Sequence, residues 1–473
     1  MKGTTKPRVD LDRPLLSLSG SNHPDDDFTL RHLFENVFIS GSTGSGKSSG
    51  SGSAIASALL DARGLLPEEY IGLIVFIYKQ SDVEDWLRMA FQAGRQDDVI
   101  HIQSHHANVF NILEQYKDQE PMNAVNALLN VSGLMAESGK GEEEFWQLQK
   151  SKALDRLIRL NKICGQPLSI ETLYHLHNSA PVDSEQVKSK EFREQSFCWN
   201  MLAMSIEKVG ENHPDFKMVY NYFVREMPFL DDRTASNIRT MVGGILEPFI
   251  SSSILKQMFC GSSKLQLDDV FTGKIVLLDI PVQTHEYVGK IAQIMFKYAF
   301  QKAVEKRNLE THPNPVIFHQ DEAQQFLTRF DHSFMSTCRA SRAGSILLSQ
   351  NISNYHAAIT GDRAEAKVNS LLALCNTKIF HAQNDHLTNE YASKTIGMGV
   401  QNLSSFSSGK DNIGSASISQ HIQYQVQPTL FTMLRTGGIR NNYLVDAIIT
   451  GTGRIFSSQT NFLQTAFQQP FAH

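Results

Sequence analysis

Nowhere in this 473-residue sequence do about eighteen apolar residues run together, the length that a membrane-crossing helix needs. The richest apolar runs, residues 73–78 and 275–280, have only the length of strands. The N-terminus, MKGTTKPRVDLDRP, lacks the apolar segment of a secretory leader. Paired cysteines are lacking too. Cys164, Cys198, Cys260, Cys338 and Cys375 are odd in number, far apart and without a C-x-x-C pair, which excludes a disulfide framework and suits core thiols in a reducing compartment. Nor is there an excess of positive charge. With a net charge of -5, any contact with nucleic acid has to come from a local patch or from a pore assembled by several subunits. These absences predict a soluble, cytoplasmic protein with no transmembrane segment.

What the sequence does hold is ample core. Hydrophobic residues make up 41% and charged residues 20%, the balance of a globular protein, and the length suffices for two or three domains. One stretch departs from that texture: FISGSTGSGKSSGSG, residues 38–52. Such Gly/Ser density suits either a mobile linker or a loop that wraps phosphate groups. The flanks favour the loop, because a short apolar strand precedes it and an apolar helix, residues 54–60, follows.

Gly41, Gly46, Lys47 and Ser48 fit the spacing G-x-x-x-x-G-K-[ST]. A chain of this length matches that pattern by chance about one time in sixty. In such a loop Gly41, Ser42, Thr43, Gly44, Ser45 and Gly46 would turn backbone N–H groups toward the phosphates of ATP. Lys47 would reach the β- and γ-phosphates, and Ser48 would ligate Mg²⁺.

Residues 1–30 are polar, with an acidic triplet at 25–27, and read as a loosely held N-terminal arm. An α/β rhythm begins at residue 31, with strands predicted at 36–40, 71–78 and 98–103 and a helix at 83–93. From 115 to 241 the pattern is helical only, with helices at 122–137, 142–163 and 231–245. We read residues 31–114 and 242–473 as two parts of one nucleotide-binding domain, interrupted by an all-helical insert at 115–241 with its own small core. The second part predicts strands at 274–280, 316–319, 345–348, 377–380 and 443–450 and a long helix at 288–307. Residues 403–420, LSSFSSGKDNIGSASISQ, read as a flexible low-complexity loop.

Hydrolysis needs carboxylates beside the phosphate loop. NPVIFHQDEAQ, residues 314–324, ends a strand in two acids: Asp321 to hold Mg²⁺ and Glu322 to take the proton of the attacking water. Gln350, at the end of the next strand, would hydrogen-bond the γ-phosphate or the water, since ligands gather at the carboxyl ends of parallel strands. Arg339 and Arg342 in CRASRAG are candidates for an arginine delivered to a neighbouring subunit's phosphates. The histidine pairs 175/177 and 105/106 lack companions at metal-ligand spacing and read as structural.

In this order the motifs resemble the coupling-protein ATPases of type IV secretion and conjugation, within the wider group of ring-forming DNA-pumping motors. The resemblance runs from about residue 31 to 456 and rests on GSTGSGKS, VFNIL at 109–113, EEFWQLQKSKAL at 143–154, DEAQQF, ASRAGSILLSQNISNY and NTKIFHAQNDHLTNEYASKTIG at 376–397. It implies an α/β fold, a RecA-like P-loop NTPase core with an inserted all-α domain. It also implies an ATPase using ATP and Mg²⁺, a homo-hexameric ring and DNA in its pore, with a DNA-processing or cargo protein recognised by the helical insert. Two features depart from the family: its acidic turn after the second strand is replaced by Tyr78-Lys79-Gln80-Ser81-Asp82, and its usual leading transmembrane helices have no counterpart. The alternatives are a nucleotide-gated scaffold that recruits protein, or another ring motor of phage-packaging, DNA-processing or defence type.

Overall fold

The computed structural model describes residues 10–21, 23–63, 70–107, 109–132, 142–361, 363–408 and 414–470. Its centre is a nine-stranded sheet. In chain order the strands are β1 (Val37–Ser40), β2 (Gly72–Phe76), β3 (Val99–Gln103), β4 (Ile275–Asp279), β5 (Val316–Gln320), β6 (Ala343–Ser349), β7 (Thr377–Phe380), β8 (Leu444–Gly451) and β9 (Phe462–Gln468). Across the sheet they run β9-β8-β7-β1-β6-β5-β2-β4-β3. The seven from β7 to β3 are mutually parallel, and β8 and β9 close the other edge antiparallel.

The central strands are apolar on both faces because helices cover both. On one face Val37, Ile39, Leu73, Val75, Ile317 and Ile346 meet the helices Ser53–Asp61 and Gln80–Gln92. On the other, Phe38, Ile74, Phe76 and Phe318 meet the long helix Val282–Lys306 and the helices Arg329–Thr337 and Ala364–Ala373. His319 interrupts the apolar run of β5 without exposing it: the ring is buried edge-on against Trp86, centroids 4.9 Å apart.

Between β3 and β4 no strand occurs among the described residues. Helices follow one another from Pro121–Ser132 to Ser253–Phe259. Ser169, Asp183, Ser189, Ser196, Asp231 and Ser252 each accept a first-turn N–H through the side chain, which explains why the sequence breaks into short helices there. The helix Glu142–Ile163 has the expected bounds; residues 133–141, at the end of the helix expected at 122–137, lie outside the described residues.

Three expectations differ from the structure. The helical segment runs past residue 241 to Phe259, and its core is not separate. Phe110, just ahead of these helices, and Phe259, at their end, pack on Phe296 of the long helix, with centroids 6.1 and 5.1 Å apart, and one apolar cluster continues from the sheet into the helices. The N-terminal segment is not loosely held from Pro14 onward. Pro14–Ser17 pairs with Asp27–Thr29, Phe28 is fully buried, and buried Asp26 accepts from the Ser457 N–H at 2.9 Å. Finally, the flexible loop expected at 403–420 is largely an antiparallel ribbon, Met398–Ser408 with Gly414–Tyr424, in register from Met398↔Tyr424 to Ser408↔Gly414. A two-stranded ribbon satisfies its backbone across its own ladder, so a serine-rich sequence with little to bury can still pair. Residues 409–413 of that stretch lie outside the described residues.

Candidate active site

The glycine-rich stretch leaves the carboxyl end of β1 and is pinned to both neighbouring strands. Gly41 N donates to the Ser349 carbonyl at 3.3 Å, and Ser42 N to the Ala382 carbonyl at 2.9 Å. Gly44 and Gly46 have φ of 75° and 84°, a conformation that side chains resist. A Cβ on Gly46 would also stand 2.5 Å from Cγ2 of Val445, which is fully buried on β8. After Lys47 the chain makes a wide turn, Ser48–Gly52, in which Gly52 N donates to the Lys47 carbonyl at 2.9 Å, before the helix Ser53–Asp61 begins.

The two acids at the end of β5 face this loop. Asp321 Oδ2 accepts from the Ser48 hydroxyl at 2.8 Å. Glu322 adopts φ 50° and ψ 48°, a left-handed conformation that costs a residue with a side chain about 1 kcal/mol or more. The turn brings its carboxylate under the loop: Oε1 lies 3.3 Å from the Lys47 ammonium and accepts from Gln350 Nε2 at 3.2 Å, while Oε2 accepts from Gln324 Nε2 at 2.8 Å. A buried pair behind it holds the turn. Lys297 and Asp331 lie 2.7 Å apart, and the Lys297 ammonium also donates to the Phe326 carbonyl at 3.0 Å.

The residues fit a nucleotide and a divalent ion by the chemistry of their donors. Left-handed glycines shape a cradle, and the Ser45 hydroxyl is buried in it without a hydrogen-bond partner. Ser48 and Asp321 offer hard oxygens side by side, the donor set that Mg²⁺ prefers.

Four supporting residues escaped sequence reasoning. Gln383, just beyond β7, is buried; its Oε1 lies 2.7 Å from the Ser42 hydroxyl and its Nε2 donates to the Gln350 carbonyl at 2.6 Å. It therefore ties the phosphate loop to the strand end that carries Gln350. His381 accepts or donates at 2.7 Å to Ser51 and lies 2.8 Å from the Asp446 carbonyl; burial pushes its pKa down to about 4. Val445 closes over Gly46 and Gly50. Asp82 is the fourth, in the turn that departs from the family pattern. Burial and the charge of Asp321 push its carboxyl up to about 6. Gln383 and His381 could have been found by position, since polar residues at the carboxyl end of a parallel strand border the ligand crevice. Nothing in the sequence marks Val445.

Arg339 and Arg342 lie elsewhere. They precede β6, at the opposite end of a seven-residue strand from Gln350. Arg339 is exposed and pairs with Glu35 at 2.8 Å. Arg342 has φ 51° and donates to the Pro313 carbonyl at 3.0 Å.

A family model described as Type IV secretory system Conjugative DNA transfer matches residues 78–432. No curated protein matches the sequence. Among solved structures the fold is similar to the bacterial conjugative coupling protein TrwBdeltaN70 in its unbound monoclinic form, with a TM-score of 0.62 at 12% identity over 94% of this chain and 87% of that one. The plasmid coupling protein TrwB in complex with the ATP analogue ADPNP gives 0.62 at 12% identity over 99% and 91%. TrwB with ADP and Mg²⁺ gives 0.60 at 12% identity over 95% and 88%. The likeness extends across the helical segment as well as the sheet, and so supports an α/β RecA-like core carrying an all-helical part.

Proposed function

The chain belongs to the type IV secretory system conjugative DNA transfer family, and on that membership and the geometry of its site we propose that it is an ATPase motor that drives DNA. One observation carries the reading: the loop lysine, the strand-end glutamate and the glutamine of the next strand converge, with Lys47 3.3 Å and Gln350 3.2 Å from the same Glu322 oxygen. TrwB is known in complex with ADPNP and with ADP and Mg²⁺, and we extend both ligands to this chain.

In this reading residues 41–46 wrap the phosphates with backbone N–H groups, and Lys47 turns from Glu322 to the β- and γ-phosphates. Ser48 and Asp321 would hold Mg²⁺, which would supply positive charge against the phosphate oxygens. Glu322, freed of Lys47, accepts the proton of the attacking water, and Gln350 orients that water by hydrogen bonding without changing charge. A scaffold that only bound nucleotide would need neither a carboxylate strained into this position nor a glutamine bonded to it.

As its family resemblance implies, the chain would work as a homo-hexameric ring; Arg339 and Arg342 sit a strand length away from this subunit's own loop, so an arginine of the two that completes a phosphate site would serve a neighbour's. DNA would occupy the central pore, where a ring focuses modest positive charge from each subunit. The helical segment, including residues 115–241, would recruit a DNA-processing or cargo protein. No described helix is long and apolar enough to cross a membrane. ATP supply and five unpaired, buried cysteines suit the cytoplasm. The test is the ATPase rate against added DNA, at low salt and at a protein concentration where rings form. Stimulation is expected; a flat response to both duplex and single strands would transfer the motor to protein cargo.

A further inference from the structure

Away from the phosphate loop, where β7 begins and β8 ends, the structure has a cavity of about 440 Å³. It is lined by Asn376, Lys378, Thr450, Thr452, Arg454 and Asn461, with Thr395, Ile455 and two glycines. Two cations and no acid line it, and the carboxylates of Asp26, Asp27 and Asp25 lie near enough to Arg454 to act on its charge. Lys378 is 5% exposed, and its ammonium donates to the Cys375 carbonyl; among the described residues no carboxylate pairs with it. Arg454 spends Nε and Nη2 on the Asp25 and Asp27 carbonyls at 2.8 to 3.2 Å, leaving Nη1 buried without a hydrogen-bond partner.

A buried ammonium with one neutral acceptor retains two N–H donors and an unbalanced charge. Arg454 adds a second cation to the lining. Around them stand hydroxyls and amides, which can donate to an oxyanion without repelling it. We propose that this cavity is a second anion site that takes a phosphate group, from free phosphate or from a nucleic-acid backbone. The site is distinct from the phosphate loop: Lys378 lies on β7, five residues and roughly 15 Å of extended chain from Gln383, which supports Ser42. The same strand therefore joins the two, and an anion at its start would bear on the segment that braces the loop.

Calorimetric titration of the full chain with inorganic phosphate tests the proposal, in a Lys47→Ala background that weakens the loop. Phosphate binding should persist in that background. It should fall at least tenfold on adding Lys378→Met, which keeps the volume and removes the charge. It should fall likewise on adding Thr452→Glu, which places a carboxylate at the rim on an exposed residue and leaves the core untouched. A single-stranded oligonucleotide, titrated in parallel, identifies the source. If Lys378→Met weakens its binding and makes the slope of log affinity against log salt shallower by about one, the phosphate is that of a backbone. If it weakens only inorganic phosphate, the ligand is the free anion. Absence of phosphate binding in Lys47→Ala protein, or unchanged affinity for both probes in both double variants, overturns the site. Failure of ATP binding to depend on Lys47 would count against the proposed ATPase instead and leave this readout intact.

Discussion

The Lys47 ammonium stands 3.3 Å from Oε1 of Glu322, and the two side chains are 10% and 4% exposed. A carboxylate so placed neutralises the loop lysine and, on the function proposed above, would be released when phosphates claim that lysine. Glu322→Gln keeps the shape and loses the proton acceptor. ATP affinity should stay within a few-fold of wild type while turnover falls by about 10²–10⁴. Equilibrium binding of a fluorescent ATP analogue and single-turnover hydrolysis read the two separately. Hydrolysis at the wild-type rate would remove Glu322 from the proton-accepting role.

Gly46 combines a φ of 84° with a Cβ position 2.5 Å from Val445 Cγ2. Gly46→Ala should therefore abolish ATP binding. Val445→Ala in the same protein relieves the clash but leaves the left-handed backbone, which costs about 1–2 kcal/mol, so recovery should be partial. Full binding by Gly46→Ala alone would mean that the working loop has another shape.

Gln383 accepts from Ser42 and donates to the Gln350 carbonyl, bonds that a leucine cannot make. Gln383→Leu should destabilise the protein by about 1–3 kcal/mol for a buried polar group left unpaired. Its larger effect should be on kcat, by up to about 10²-fold, since it misplaces Gln350 more than it alters the phosphate cradle. A rise in KM with kcat unchanged would assign Gln383 to binding alone.

How much of this was written in the sequence differs by element. The buried parallel strands were legible because fully covered strands are continuous apolar runs, and β7 matched its expected limits of 377 and 380. The Gly-Lys-Ser spacing and the Asp-Glu pair stood out as candidates by residue type and order, and the structure brings them together through Lys47–Glu322 and Ser48–Asp321. Their meeting depends on β5, β6 and β1 lying side by side, a non-local pairing that no local pattern states. The ribbon Met398–Tyr424 was read as a loop because its composition suggests nothing to bury, yet pairing rather than burial forms it. Likewise the helical segment was given a separate core because periodicity reveals an apolar face but not its partner, which here includes Phe296 of the long helix.

Burial pushes His381 and His177 down to about 4, against about 6.5 in an unfolded chain. Between those values the unfolded chain takes up protons that the folded chain refuses. Stability should be fully present above about pH 6.5 and fall as pH drops toward 4, by on the order of 3 kcal/mol per histidine. Asp82, pushed up to about 6, acts with the opposite sign between about 4 and 6, and more weakly because it is part-exposed. Urea midpoints at pH 7, 6 and 5 should decline, and His177→Gln should flatten part of that slope. A midpoint that holds steady to pH 5 would mean that these rings are not held neutral.

The two arginines ahead of β6 differ in what already occupies them. Arg342 sits at φ 51°, donates to the Pro313 carbonyl and offers its own carbonyl to Val316 N at 3.1 Å, so it builds the entry to the strand. Arg339 is exposed, and its one side-chain tie among the described residues, to Glu35, is a surface ion pair, a contact of small worth that a phosphate could displace. We therefore assign the role in a neighbour's site to Arg339. Arg339→Ala should fold normally and lose about 10³–10⁵ in turnover, the contribution of an arginine that completes a phosphate site. Arg342→Ala should instead lower thermal stability. Mixing Arg339→Ala with Lys47→Ala subunits should restore part of the activity, because a Lys47→Ala subunit still lends its Arg339 to an intact loop next door. No recovery on mixing, or a rate per subunit that stays constant on dilution to monomers, would confine catalysis to a single chain and leave Arg339 a surface residue.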